Sequence, residues 1–290
     1  MIFLLLSVLS STVIFVTFKL FDRFKVNTLH AIVVNYIVAS LCGIIAFEGV
    51  VDPIDIVNKD WFVYTAVLGL LFIIIFNLMA ITTQRSGLSV VSVATKMSLV
   101  IPILFGLLYY KESLGIYKFI GIILALVAVY LASIKTRSGL RINRSNLIYP
   151  FLVFLGSGII DTSLKYLEDT HVAKNEVSIF SSMIFATAAV TGLFILIWQM
   201  IKGSFRFEVK NVIGGIALGI PNYFSVYFLV KALRSDILES SGIFTVNNVA
   251  VVMTSTLVGI LLFHEKLLVK NWIGIALAVI SIFLVTLNSW

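Results

Sequence analysis

The sequence predicts an all-α integral membrane protein of ten transmembrane helices arranged as two inverted five-helix repeats. Three observations carry that prediction. Hydrophobic residues make up 60% of the 290, charged residues only 12%, and mean hydropathy is +1.10. A soluble domain carries about a quarter charged residues, so an ordinary globular protein is excluded. The apolar residues fall into long runs bounded by charges, each near the ~20 residues that a helix needs to cross a bilayer. The third observation is that the two halves of the chain resemble each other.

The apolar runs lie at about 2–20, 29–47, 61–81, 88–109, 116–134, 147–166, 177–201, 212–233, 237–263 and 269–287. Helices are expected throughout, because backbone polar groups in lipid must be satisfied within the segment and no barrel-type alternation appears. The first run has no basic stretch before it and no small-residue cleavage site before Lys19, so it reads as a retained helix. The break between the eighth and ninth runs is the least marked, being carried by Arg234, Ser235, Asp236 and Glu239. The longest connection, about Lys135 to Asn146, is rich in Arg and Ser and divides the chain near its midpoint.

That division separates two related halves, 1–138 and 139–290. Gly106, Glu112, Gly121 and Ala125 recur as Gly259, Glu265, Gly274 and Ala278, each at an offset of 153 residues. Near the start of each half, Lys19 and Lys165 end the first and sixth runs. Five helices per half is an odd number, so the second half enters from the opposite side and the repeats are inverted. Such repeats are typical of secondary transporters, whose substrate sites lie near the midplane between them.

Two halves that each close with a Gly, a short apolar or aromatic stretch, a Lys/His-Glu turn and a Gly/Ala-rich helix resemble the drug/metabolite transporter superfamily. The similarity is to its EamA-type (RhaT-like) ten-helix members and covers essentially the whole chain. The Glu turns bear on the fold and not on the substrate. One departure is Lys111 or His264 where the family customarily has Gly before the turn Glu. The resemblance implies alternating-access carriage of a small metabolite, often an amino acid or related compound leaving the cell. It also implies that helices 1, 3, 4, 6, 8 and 9 line a central cavity, and it places the chain in the plasma (inner) membrane. The Asn-Lys motifs of nucleotide-sugar carriers are not matched.

Polar groups within spans are costly and point to function. At 1.5 Å per residue, Lys96 lies about 12 Å deep, and Asn222 and Tyr223 about 15–16 Å. Asn247 and Asn248 reach a similar level from the opposite side. These five residues form the expected substrate site, with Lys96 meeting a carboxylate and the Asn and Tyr groups orienting it. Ser89, Ser92 and Lys96 share one stripe of the fourth run, and Ser241, Thr245, Asn248, Val252 and Ser255 one stripe of the ninth. Asp161 is a carboxylate well inside a span, offset from Lys96 by about 9 Å in depth, beyond a lysine's ~6 Å reach. It is expected as a coupling or charge partner, or else as one end of a helical pair with Lys165. Singly, each Asn or Tyr could equally bridge helices. Glu112 and Glu265 fall at turns, where capping is expected.

Little suggests an enzyme. His30, His171 and His264 are scattered, and neither an HExxH motif nor a nucleotide-binding Gly loop is present. No cofactor and no metal site is expected, and the lone Cys42 excludes an internal disulfide. The net charge of +7 is spread over many loops, so no nucleic-acid partner is expected. The expected partners are a small-molecule substrate, the lipid bilayer and, as an open possibility, a second copy of the chain. A channel-like facilitator, or an integral-membrane enzyme or accessory subunit, is the alternative reading. Lys and Arg number thirteen on the side of the first inter-helix loop and seven on the side of the termini. The positive-inside rule therefore puts the termini outside, whereas the family resemblance implies termini in the cytoplasm.

Overall fold

A computed structural model describes residues 1–47, 49, 52–86, 94–112, 115–133, 148–235, 238–263 and 268–287. The regular secondary structure of these residues is helical. In chain order the helices are α1 (Ile2–Phe24), α2 (Thr28–Ile45), α3 (Pro53–Val57), α4 (Phe62–Ser86), α5 (Val100–Tyr109), α6 (Ile116–Ser133), α7 (Ile148–Thr170), α8 (Val177–Ile201), α9 (Val209–Leu233), α10 (Ser240–Phe263) and α11 (Val269–Leu287).

The apolar runs account for the long helices. Six of them, α1, α2, α4, α8, α9 and α10, contain stretches long and apolar enough to cross a membrane, and the shorter helical stretches Ala94–Tyr109, Ile116–Leu131 and Val269–Val285 are apolar too. Helix α7 has the length of a span but carries Asp161, Lys165, Glu168 and Asp169. The weakly marked break after the eighth run is real, since α9 ends at Leu233 and α10 starts at Ser240. Short α3 was not expected. Asp52 caps it by accepting from the Ile54 backbone N–H at 2.9 Å, and Pro53 sits in its first turn, where its missing N–H costs nothing. Five residues are too few to register as periodicity. The fourth run begins outside the described residues. From Ala94 it is helical to Tyr109 except for a turn at Ser98 and Leu99.

Large apolar side chains face outward as freely as inward. Phe194 is 69% exposed, and Leu261 is 72% exposed. Water would penalise such a surface, and a lipid environment does not.

The chain forms two compact units. Unit 1 comprises Met1–Val8, Ile75–Thr162 and Ala232–Trp290, and unit 2 comprises Leu9–Ile74 and Ser163–Lys231. Each draws on both sequence halves. Within unit 1, α6 packs extensively on α11. Small residues allow the approach. A Cβ added at Gly121 would stand 2.7 Å from Val285 Cγ2, and Ser281 donates to the Gly121 carbonyl at 2.7 Å. Ala125, Ala128 and Ala278 continue that contact as a buried cluster. In unit 2 the extensive pair is α2 with α8.

Candidate functional site

Unit 1 holds the charged polar cluster. Lys96 donates from Nζ to Asn248 Oδ1 at 3.2 Å, while Asn248 Nδ2 donates to the Phe244 carbonyl one turn back at 3.0 Å. That second bond fixes the amide so that its oxygen faces the ammonium. Asp161 of α7 lies in the same unit and carries the opposite charge. Gly158 supports this geometry, because without a side chain it lets α7 close onto Ile101 of α5. Lys96 and Asp161 are both half-buried. Neighbouring Asn247 is 6% exposed, and its Oδ1 has no hydrogen-bond partner among the described residues. A buried amide oxygen left unmatched is an acceptor able to take a ligand's N–H or O–H.

Unit 2 holds the neutral groups. Asn222 Nδ2 donates to Asn35 Oδ1 at 3.0 Å, and Asn35 Nδ2 donates to the Ile32 carbonyl at 3.4 Å. Ser178 Oγ donates to the Gly43 carbonyl at 2.9 Å and lies 2.9 Å from the Tyr223 hydroxyl. A serine has one O–H, so Tyr223 is the donor to Ser178. Tyr223 is fully buried, and a Cβ on Gly43 would stand 2.7 Å from its ring. Ser182 adds a bond to the Ser40 carbonyl at 2.7 Å. These contacts bridge α2, α8 and α9.

The expected residues therefore fall into two groups. Lys96 and Asn248 come together in unit 1, with Asn247 adjacent in sequence and Asp161 in the same unit, whereas Asn222 and Tyr223 are engaged within unit 2. Lys165 makes its helical pairs forward, with Glu168 at 3.3 Å and Asp169 at 3.9 Å. Ser89, Ser92, His264, Glu265 and the boundary at 138/139 lie outside the described residues.

The cap expected at Glu112 belongs to a cluster whose other members were not foreseen. Glu112 accepts from the Ser240 and Ser241 hydroxyls and from the Ser241 N–H at 3.2 Å, so its carboxylate caps the first turn of α10. Lys118 counts in the sequence as a loop charge, but its side chain is 4% exposed and pairs with Glu112 at 3.4 Å and with Glu239. Burial works against the charged form of Glu112, yet the Ser240 and Ser241 hydrogen bonds and the Lys118 charge outweigh it and hold its pKa below the usual carboxylate range. In unit 2, Glu176 joins the Trp61 indole at 2.9 Å and Lys59 at 2.7 Å. No group of three His, Cys, Asp or Glu able to hold a metal ion occurs among the described residues.

Six helices long and apolar enough to cross a membrane define an integral, multi-pass membrane protein. Residues 1–134 match the EamA-like transporter family. The match covers just under half of the chain and is a likeness of this part to that family. An uncharacterized protein of Haemophilus influenzae is 28% identical over 285 residues, covering 97% of this chain and 96% of its own. A crystal structure of another protein superposes with a TM-score of 0.80 at 12% identity, covering 99% of this chain and 96% of that one. At that identity the likeness is one of fold alone.

Proposed function

We propose that the protein is a secondary-active carrier that moves an amino acid or related carboxylate out of the cell across the plasma membrane by alternating access. In this reading its ten spans form two inverted repeats, 1–138 and 139–290, whose exchanged conformations give the inward- and outward-open states. The packing of α6 on α11 and of α2 on α8, pairs that the reading makes equivalent, is consistent with that symmetry.

The observation that carries the substrate class is the buried, unmatched Oδ1 of Asn247 beside the Lys96–Asn248 pair. Lys96 supplies a cationic donor for a carboxylate, Asn247 supplies an acceptor, and Asp161 supplies an opposite charge for coupling or for a substrate ammonium. Asn248 acts by aiming Lys96. Asn222 and Tyr223 then join helices of unit 2 and do not themselves grip the substrate.

Counterflow of labelled amino and organic acids in proteoliposomes tests this reading. A carrier exchanges label against unlabelled substrate and returns it chemically unchanged. Conversion of the label would mark an enzyme, and flux without exchange would mark a channel. Normal counterflow in Lys96→Met would remove the site.

A further inference from the structure

We propose that the end of unit 2 formed by the α1–α2 turn and the start of α9 binds the phosphate headgroup of an anionic phospholipid. An open depression of about 540 Å³ there is lined by Phe21, Lys25, Val26, Asn27, Glu208 and Lys210. Its level follows from the chain. One apolar stretch stops at Phe21 and the next starts at Thr28, while another stops at Ile201 and its successor starts at Val209. The depression therefore lies where hydrocarbon gives way to headgroups.

The walls are held together by unit 2 itself. Asn211, 2% exposed, accepts from the Asn27 N–H at 2.8 Å, and Asn27 in turn caps α2 by accepting from the His30 N–H at 3.2 Å. Gly214 admits Phe21 and Val26 against α9, where a Cβ would come within 3.0 and 3.2 Å of them. Lys25 follows α1 in the left-handed region, at φ 53°, and its side chain is exposed.

The charge is unbalanced in favour of an anion. Glu208 is matched by Lys210 at 3.3 Å, which leaves Lys25 as the excess cation among the described residues that line the depression, and Arg23, Lys202 and Arg206 are exposed on the same two connections. Aromatic groups suited to the interface flank it: Phe24 is 60% exposed, Phe207 71% and Trp198 60%, with Lys202 Nζ 4.6 Å from the Trp198 ring centroid. A phosphodiester bearing one negative charge completes the balance. A choline lipid would bring its own cation and be disfavoured beside Lys25.

The test is a thermal-shift titration of the purified full-length protein in neutral detergent, comparing phosphatidylglycerol with phosphatidylcholine of the same acyl chains. Phosphatidylglycerol should stabilise at the lower concentration. Removing one cation with Lys25→Gln should weaken its apparent affinity about fivefold, and Glu208→Gln should strengthen it by a similar factor. The gain in Glu208→Gln is a result that mere damage to the fold would not give. The proposal is overturned if the two lipids act alike, if Lys25→Gln keeps the wild-type preference, or if Glu208→Gln weakens binding. It is also overturned if soluble glycerol phosphate alone reproduces the full shift, which would make the site one for a free anion.

Discussion

The polar centres of the two units differ in kind. In unit 2 the groups are neutral and buried, and three pairs are matched, Asn222 with Asn35, Tyr223 with Ser178 and Ser182 with Ser40, while the Ser181 hydroxyl has no partner among the described residues. In unit 1 the groups are charged and half-buried, and the neighbouring Asn247 oxygen is unmatched. Neutral hydrogen bonds between helices are what joining them requires, each adding about 0.6 kcal/mol. Charges inside an apolar segment carry a far larger cost, ~2.5–3.5 kcal/mol on insertion scales, which helix joining does not repay. The contrast teaches that depth in a span does not by itself mark a site, and that the charge beside unspent hydrogen-bonding capacity is what sets the unit 1 cluster apart.

The sharpest way to break this comparison is Lys96→Met. Substrate affinity should fall on the order of 10–100-fold, the loss expected for a hydrogen bond to a charged group, while the thermal midpoint barely moves. A binding isotherm beside a melting curve would separate the two effects. Unit 2 should respond in the opposite way. Gly43→Val would drive a side chain into Tyr223 and Ser182, so stability should drop by about 1–3 kcal/mol, read from thermal unfolding of the detergent-solubilised protein.

Next in size is the Asn35–Asn222 bridge. Asn222→Leu alone strands Asn35 and should cost about 1–2 kcal/mol, whereas Asn35→Leu with Asn222→Leu should be nearly neutral and still transport. A folded but inactive double variant would make Asn222 a substrate ligand and erase the distinction between the units. Tyr223→Phe should be milder still, about 0.6 kcal/mol.

The smallest effect is a pH dependence at the Glu112 cap. Its folded pKa lies below the unfolded value of about 4.3. The stabilisation is therefore complete above that unfolded value and is lost as pH falls through the folded one. Wild type should melt higher than Glu112→Gln at neutral pH, with the gap closing below about pH 4. A gap that is constant with pH would show that the cap works by shape and not by charge.

The spans were legible because lipid leaves the backbone one choice per apolar run, and the charges between runs mark the ends. The break before Ser240 needed only four polar residues to be visible. Short α3 was not legible, since five residues give no periodicity, and it rests on a local cap at Asp52. The site was legible in part. Lys96, Asn247, Asn248 and Asp161 stand out as polar residues in apolar segments, but Asn222 and Tyr223 stand out in the same way. Asn35 carried the same signal within α2 and was passed over. Lys118 was misread as a solvated loop charge, because nothing local reveals that Glu112 and Glu239 close over it.

By itself, then, the sequence determined the membrane setting, the helical class, most helix boundaries and the residues that could do chemistry. These depend on composition and short-range spacing, which act within one turn or one span. Tertiary structure alone decided which polar residues satisfy one another. Asn35 meets Asn222 across 187 residues, Lys96 meets Asn248 across 152, and Glu112 reaches Ser240 across 128. A hydrogen bond forms only at about 3 Å. Whether a buried polar group is spent or free therefore depends on which helices pack together, a long-range outcome that no local pattern encodes.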